Sequence, residues 1–139
     1  MASIHKEVLI EAQPDAVWDA VRDVGAAHLR VAPGFLTGCR MDDTPGAPRA
    51  RIVSFANGLV ARELIVDVDD TARRLVWAVV GGRMTHHNAS MQISAEGPRH
   101  TRVVWIADLL PDELAGPVGA MIEQGLAAMQ TTLGASSTP

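Results

Sequence analysis

The chain has no tyrosine, a single lysine and a single cysteine in 139 residues. Standing alone, Cys39 cannot form an internal disulfide, so the core has to hold without covalent staples and a cytoplasmic setting is expected. Positive charge is carried by scattered arginines. With a formal charge of −4 and a pI near 5.6, nothing draws the chain toward nucleic acid or an anionic membrane. Arg73-Arg74, the only adjacent basic pair, reads as the solvated start of a strand. Long hydrophobic runs are also missing. The longest, Leu75 to Gly82, is the size of a strand and far short of the roughly 20 residues a spanning helix requires. The opening Met1-Ala-Ser-Ile-His-Lys-Glu7 has no apolar stretch of the signal-peptide kind. The disorder signature is missing as well, since 47% of residues are apolar and 20% charged, so a packed core is expected. The length fits one domain over residues 1–139.

Periodicity then lays out the elements. Apolar residues at Ile4, Val8, Ile10 and Ala12 follow a two-residue period and predict a half-buried strand. Pro14 suits a first helical position, and Val17, Trp18, Val21 and Val24 follow at helical spacing. A second short helix is expected over Ala26 to Val31, stopped by Pro33-Gly34. Six strands are then predicted: Phe35 to Met41, Arg49 to Ala56, Leu59 to Val68, Arg74 to Val80, Thr85 to Ala95 and Thr101 to Leu109. Turn chemistry separates them, with Asn57-Gly58 expected to form a tight two-residue hairpin because both residues tolerate positive φ. Such short links favour an antiparallel meander. After Pro111-Asp112-Glu113 the period changes. Leu114, Val118, Met121, Ile122, Gly125, Met129 and Leu133 predict one long helix, with Pro117 kinking its start or shifting its N-terminus and a frayed tail from Gly134. The expected class is α+β.

Strand alternation names the inner face. Glu63 and Ile65 share it with Ala61, and Trp77 and Val79 share it with Leu75. His87, Ala89 and Met91 fall on the next strand, then Trp105 with Val103. With Met121, Ile122, Gly125 and Met129 on the helix, this surface either fills a solid core or walls a pocket. Glu63 is the misfit. An acid among apolar strands must be paired, for which Arg51 and Arg62 are at hand, or be protonated, unless it sits at a wet pocket rim. His87 is read either as a hydrogen-bonding or proton-transfer partner or as a solvated strand-end histidine. His86 and His87 point to opposite faces, and neither His28 nor His100 has ligand spacing with them, so no metal site is expected. Trp18 reads as a core anchor, and Cys39 as a small inert residue. The tips Gly81-Gly82 and Ala56-Asn57-Gly58 are candidate lids.

The order of strand, two short helices, six strands and long helix resembles the helix-grip arrangement of the START-like, or SRPBCC, superfamily, in particular its bacterial polyketide cyclase/dehydrase branch. The residues that carry the likeness are Ala12-Gln-Pro-Asp-Ala-Val-Trp-Asp-Ala-Val-Arg-Asp23, Pro33-Gly34, and Asn57-Gly58 with Glu63 five residues on. The Asp69-Asp70 turn, Arg74-Leu75-Val76-Trp77 and Thr101-Arg-Val-Val-Trp105 add to it. The resemblance implies a curved antiparallel sheet wrapped around the C-terminal helix, with a cavity between them. It also implies that Glu63 lines that cavity and holds polar groups of a ligand through water. Two departures stand out. Val31-Ala32 precede Pro33 where much of the branch has an aromatic residue, and the absent tyrosine removes the usual neutral hydroxyl that cyclase relatives use to polarise a carbonyl. The resemblance thus implies binding or carriage of a small hydrophobic molecule (a lipid, polyketide or aromatic metabolite) without a cofactor. The alternative is a polyketide cyclase, aromatase or dehydratase moving protons through Glu63 and His87. Membrane insertion is not expected, and a monomer or homodimer is.

Overall fold

The computed structural model describes residues 1–136, in which a seven-stranded antiparallel sheet curves across a long C-terminal helix. The strands are β1 (Ala2–Ile10), β2 (Leu36–Asp42), β3 (Ala50–Phe55), β4 (Val60–Asp69), β5 (Arg74–Val80), β6 (His86–Ala95) and β7 (Thr101–Leu110). From β2 to β7 each strand lies beside its successor in sequence, as short turns dictate. β1 crosses over to pair with β7, from Ala2 opposite Leu109 to Ile10 opposite Thr101. Register breaks between Leu36 and Gly38 and between Ile65 and Asp67 bend β2 and β4, which turns the meander into a trough.

The first strand ends at Ile10, two residues before the sequence period suggests, because the Ala12 N–H turns back onto the Ile10 carbonyl. Pro14 then opens α1 (Pro14–Arg22), where its missing N–H costs nothing, and the helix buries Val17, Trp18, Ala20 and Val21. Trp18 is the expected anchor. Its indole N–H donates to Asp70 in the β4–β5 turn at 2.9 Å, and Arg22 Nε reaches the same oxygen at 2.8 Å, fastening the helix to the sheet. A 3-10 turn (Val24–Ala26) leads into the single turn of α2 (Ala27–Arg30).

The Asn57-Gly58 hairpin differs from expectation. Only Gly58 takes positive φ, and hydrogen bonds from the Gly58 N–H to Phe55 O and from the Phe55 N–H to Leu59 O enclose a three-residue loop instead of a two-residue one. Asn57 is held back by its own side chain, whose Oδ1 accepts the Leu59 N–H at 3.0 Å.

At the far end a 3-10 turn (Asp112–Leu114) feeds α3 (Ala115–Ser136). Pro117 sits in the first turn of α3, where backbone donors have no helical partner, so the helix begins before it and runs on. Leu114, Ile122, Leu126, Met129 and Leu133 are buried along one stripe, to which Leu126 is an addition. The helix continues past Gly134, so the expected fray does not begin there; residues 137–139 lie outside those described. α3 rides on β1, tied by Lys6 Nζ to Glu123 at 2.7 Å and by Gln130 Nε2 to the Leu9 carbonyl at 2.8 Å. No helix of the described residues is long and apolar enough to cross a membrane.

Candidate functional site

Riding on β1, α3 leaves the concave face of β3 to β6 partly uncovered, and a cavity of about 350 Å³ lies there. Its size is set by two kinds of residue. Large rings enter it: Trp77 and Trp105 meet edge to face at 5.5 Å and 63°, and Phe35 and Phe55 do so at 5.5 Å and 79°. Small residues make room for them. A Cβ on Gly125 would lie 3.1 Å from Trp105 and 3.2 Å from Phe35, so only a bare helix surface lets both rings approach. Val31 and Ala32 also line the space.

One wall is polar. Arg51 and Glu63 face each other in the β3–β4 register, and each side chain is only 9% exposed. Arg51 Nε donates to Glu63 Oε1 at 2.8 Å and Nη1 donates to the Val24 carbonyl at 3.1 Å, while the guanidinium carbon lies 5.7 Å from the centre of the Trp77 ring. Of the readings open for Glu63, pairing with Arg51 is the one found. Arg62 points elsewhere, to Asp42 at 2.8 Å. The Thr44 hydroxyl and that guanidinium hold the Asp42 carboxyl down at about 2.

His87 lies two strands further along the same row. Extending the β5–β6 register beyond Trp77 and Ala89 would set Val79 opposite His87, but the backbone ladder stops there. The imidazole takes the place of a backbone acceptor instead, and its Nδ1 receives the Val79 N–H at 3.0 Å. Accepting at Nδ1 fixes the neutral ring with its hydrogen on Nε2. Burial, together with the neighbouring charge of His86, pushes its pKa down to about 4. His87 is therefore buried, not the solvated strand-end histidine, and at neutral pH it is an uncharged donor through Nε2.

Glu63, Trp77, Val79, His87, Met91 and Trp105 line the cavity from the sheet, as do Met121, Ile122, Gly125 and Met129 from α3. Ile65 and Ala89 do not. Ala89 is shut off at 1% exposure and packs in the core cluster, and Ile65, beside the β4 register break, packs against that cluster. Gly81 and Gly82 edge the cavity, whereas at the other tip Phe55 and Leu59 line it and Ala56, Asn57 and Gly58 between them do not. His86 is exposed and His87 buried, on opposite sides of β6, and the described residues contain no cluster able to hold a metal ion. Cys39 donates weakly to the Val24 carbonyl at 3.6 Å, and burial raises its pKa.

Sequence reasoning missed the contribution of β3. Arg51 was legible as a partner for Glu63, but its place on the cavity wall follows from the β3–β4 register. Phe35, in the turn before β2, and Phe55, at the end of β3, gave no periodic signal.

Known proteins share this architecture. A protein of Thermobifida fusca solved by NMR superposes with a TM-score of 0.78 at 28% identity over 97% of this chain and 95% of that one. The di-domain ARO/CYC BexL of the BE-7585A biosynthetic pathway gives 0.81 at 14% identity over the whole of this chain and 48% of its own, so the chain spans about half of BexL. Norcoclaurine synthase of Thalictrum flavum gives 0.72 at 20% identity, covering 97% and 85%. No curated protein matches. Residues 1–135 match the model of the family described as polyketide cyclase/dehydrase and lipid transport, and with its sheet gripping the C-terminal helix in the way of that fold, the chain belongs to this family.

Proposed function

We propose that this protein binds a small hydrophobic molecule (a lipid, polyketide or aromatic metabolite) in the cavity between sheet and α3, acting as a single cytoplasmic domain. The supporting observation is the cavity itself. Its volume of about 350 Å³ falls in the range of small-molecule sites, and apolar walls are interrupted at a few points by placed polar groups. The likeness to BexL and norcoclaurine synthase raises a second reading, a cyclase moving protons through Glu63 and His87. The state of those two residues favours holding over proton transfer. Glu63 is committed to Arg51, and His87 lacks a charge to give at neutral pH.

Trp77 and Trp105 supply the assay. Titration with a panel of apolar aromatic and polyketide-like molecules is expected to change tryptophan emission saturably, and the change should shrink in Trp77→Leu, which keeps the wall apolar. If no member of such a panel alters emission or melting temperature, the cavity has no small-molecule role. Turnover of a poly-carbonyl substrate, lost in His87→Gln, would favour the cyclase.

A further inference from the structure

The exposed residues of the cavity lining are gathered in one place. Apart from Pro117 they are Leu59 and Val60 on the β3–β4 tip and Val80, Gly81, Gly82 and Arg83 on the β5–β6 tip, so the cavity meets solvent there. The two tips are neighbours, since Arg62 faces Val80 in the β4–β5 register. Leu59, Val60 and Val80 give this mouth an apolar rim, at 55%, 63% and 40% exposure. Gly81 and Gly82, both at positive φ, carry the β5–β6 turn, and Arg83 is the first long side chain to follow it.

Charge around the cavity runs against the charge of the chain. A protein of net −4 lines this space with Arg51, Arg62 and Arg83 but a single acid, Glu63. Two of these arginines are balanced, Arg51 by Glu63 and Arg62 by Asp42, each at 2.8 Å. The Arg83 side chain makes no ion pair or hydrogen bond to another described residue, so the mouth carries one uncompensated guanidinium. An anion placed there keeps part of its hydration, whereas one driven inward to Arg51 would lose its water and lie against Glu63. A guest is thereby oriented, with an apolar body inward against Trp77 and Trp105 and a negative charge outward. One guanidinium fork matches one carboxylate, while a phosphate monoester, more highly charged, calls for a second free cation.

Building on the binding reading above, we propose that Arg83 is an anion-recognition residue at the cavity mouth and that the guest is an apolar carboxylic acid, its body inside the trough and its carboxylate at the rim.

Calorimetric titration near neutral pH with naphthalene, naphthoate, naphthyl phosphate and naphthylmethylamine separates the ring from the sign and size of the charge. Naphthoate should bind about fivefold more tightly than naphthalene, the scale of a partly exposed charge-assisted contact, and more tightly than the phosphate or the amine. Its advantage should shrink in about 1 M salt, where screening acts within about 3 Å, while naphthalene binding does not weaken. Arg83→Gln should remove the advantage and leave naphthalene binding as it was; Arg83→Glu should pass the preference to the amine. Arg99→Gln takes the same charge from the β6–β7 turn at the opposite end of the sheet and should change none of these affinities. The proposal is overturned by naphthoate binding no better than naphthalene, by an advantage that survives Arg83→Gln or vanishes equally in Arg99→Gln, or by tighter binding of the phosphate or the amine. In each of those outcomes naphthalene still binds and the small-molecule reading stands. Failure of all four probes to bind overturns that reading, and this proposal with it.

Discussion

The two ends of the trough are built from the same strands, yet one is solid and the other hollow. Where β6 passes under α1, residues such as Ile10, Ile93 and Val103 join Val17, Trp18 and Val24 in a continuous core. Nearer the tips of the β3–β4 and β5–β6 hairpins, α3 lies across the trough but, seated on β1, leaves space between itself and the sheet. There the same inward-facing positions hold Arg51, Glu63, Val79 and His87 around open space. Polar residues occur where the covering layer is thin, since there a ligand or water can complete hydrogen bonds that a packed core could not. The solid end is held by apolar packing, whereas the hollow end is held by the Arg51–Glu63 pair and keeps space for a guest.

Breaking the charge pair tests this contrast most severely. Arg51→Met strands the buried Glu63 carboxylate and should cost about 3–5 kcal/mol in chemical denaturation, most of which should return when Glu63→Leu is added. Next comes the solid end itself. Ile93 is 2% exposed, and Ile93→Ala should cost about 3 kcal/mol, whereas Met121→Ala, beside existing space, should cost under about 1 kcal/mol and mainly weaken ligand binding. Equal costs at the two sites would erase the distinction between the ends.

Protonation gives a smaller effect with a definite sign. The folded pKa of His87 lies at about 4, below its ordinary value of 6.5, so the unfolded chain takes up this proton first. The contribution to stability is complete above about pH 6.5 and is lost as pH falls toward 4, amounting to at most about 3 kcal/mol. Denaturation across that window should show the slope in the natural sequence and lose it in His87→Gln. Smallest in stability is Gly125→Ala. The gain in helix propensity and the crowding of Trp105 and Phe35 should nearly cancel, within about 1 kcal/mol, while ligand affinity falls as the rings are displaced.

Much of this architecture was legible because the rules that write it are local. Pro14, Pro33-Gly34, Asp69-Asp70 and the two periods mark every element, and alternation alone put Glu63, Trp77, His87 and Trp105 on one face. What was not legible depends on partners far apart in the chain. An apolar stripe looks the same whether it fills a core or walls a cavity, and the difference lies in α3 settling over β1. The pairing of Glu63 with Arg51 needed the β3–β4 register, and the state of His87 needed the backbone ladder to stop at Trp77. The Asn57-Gly58 turn was read one residue too tight because sequence does not reveal that the asparagine side chain would bond forward to Leu59.

The register break in β2 has a consequence for how this molecule behaves in a crowd. β2 is the outer strand of the sheet on the side away from α3, the natural place for a second copy to add its own strand and begin a stack. The break between Leu36 and Gly38 interrupts its regular row of donors and acceptors, and α2 and the 3-10 turn beside it contact the strand. The same irregularity that bends the trough therefore guards its rim against self-association into fibrils.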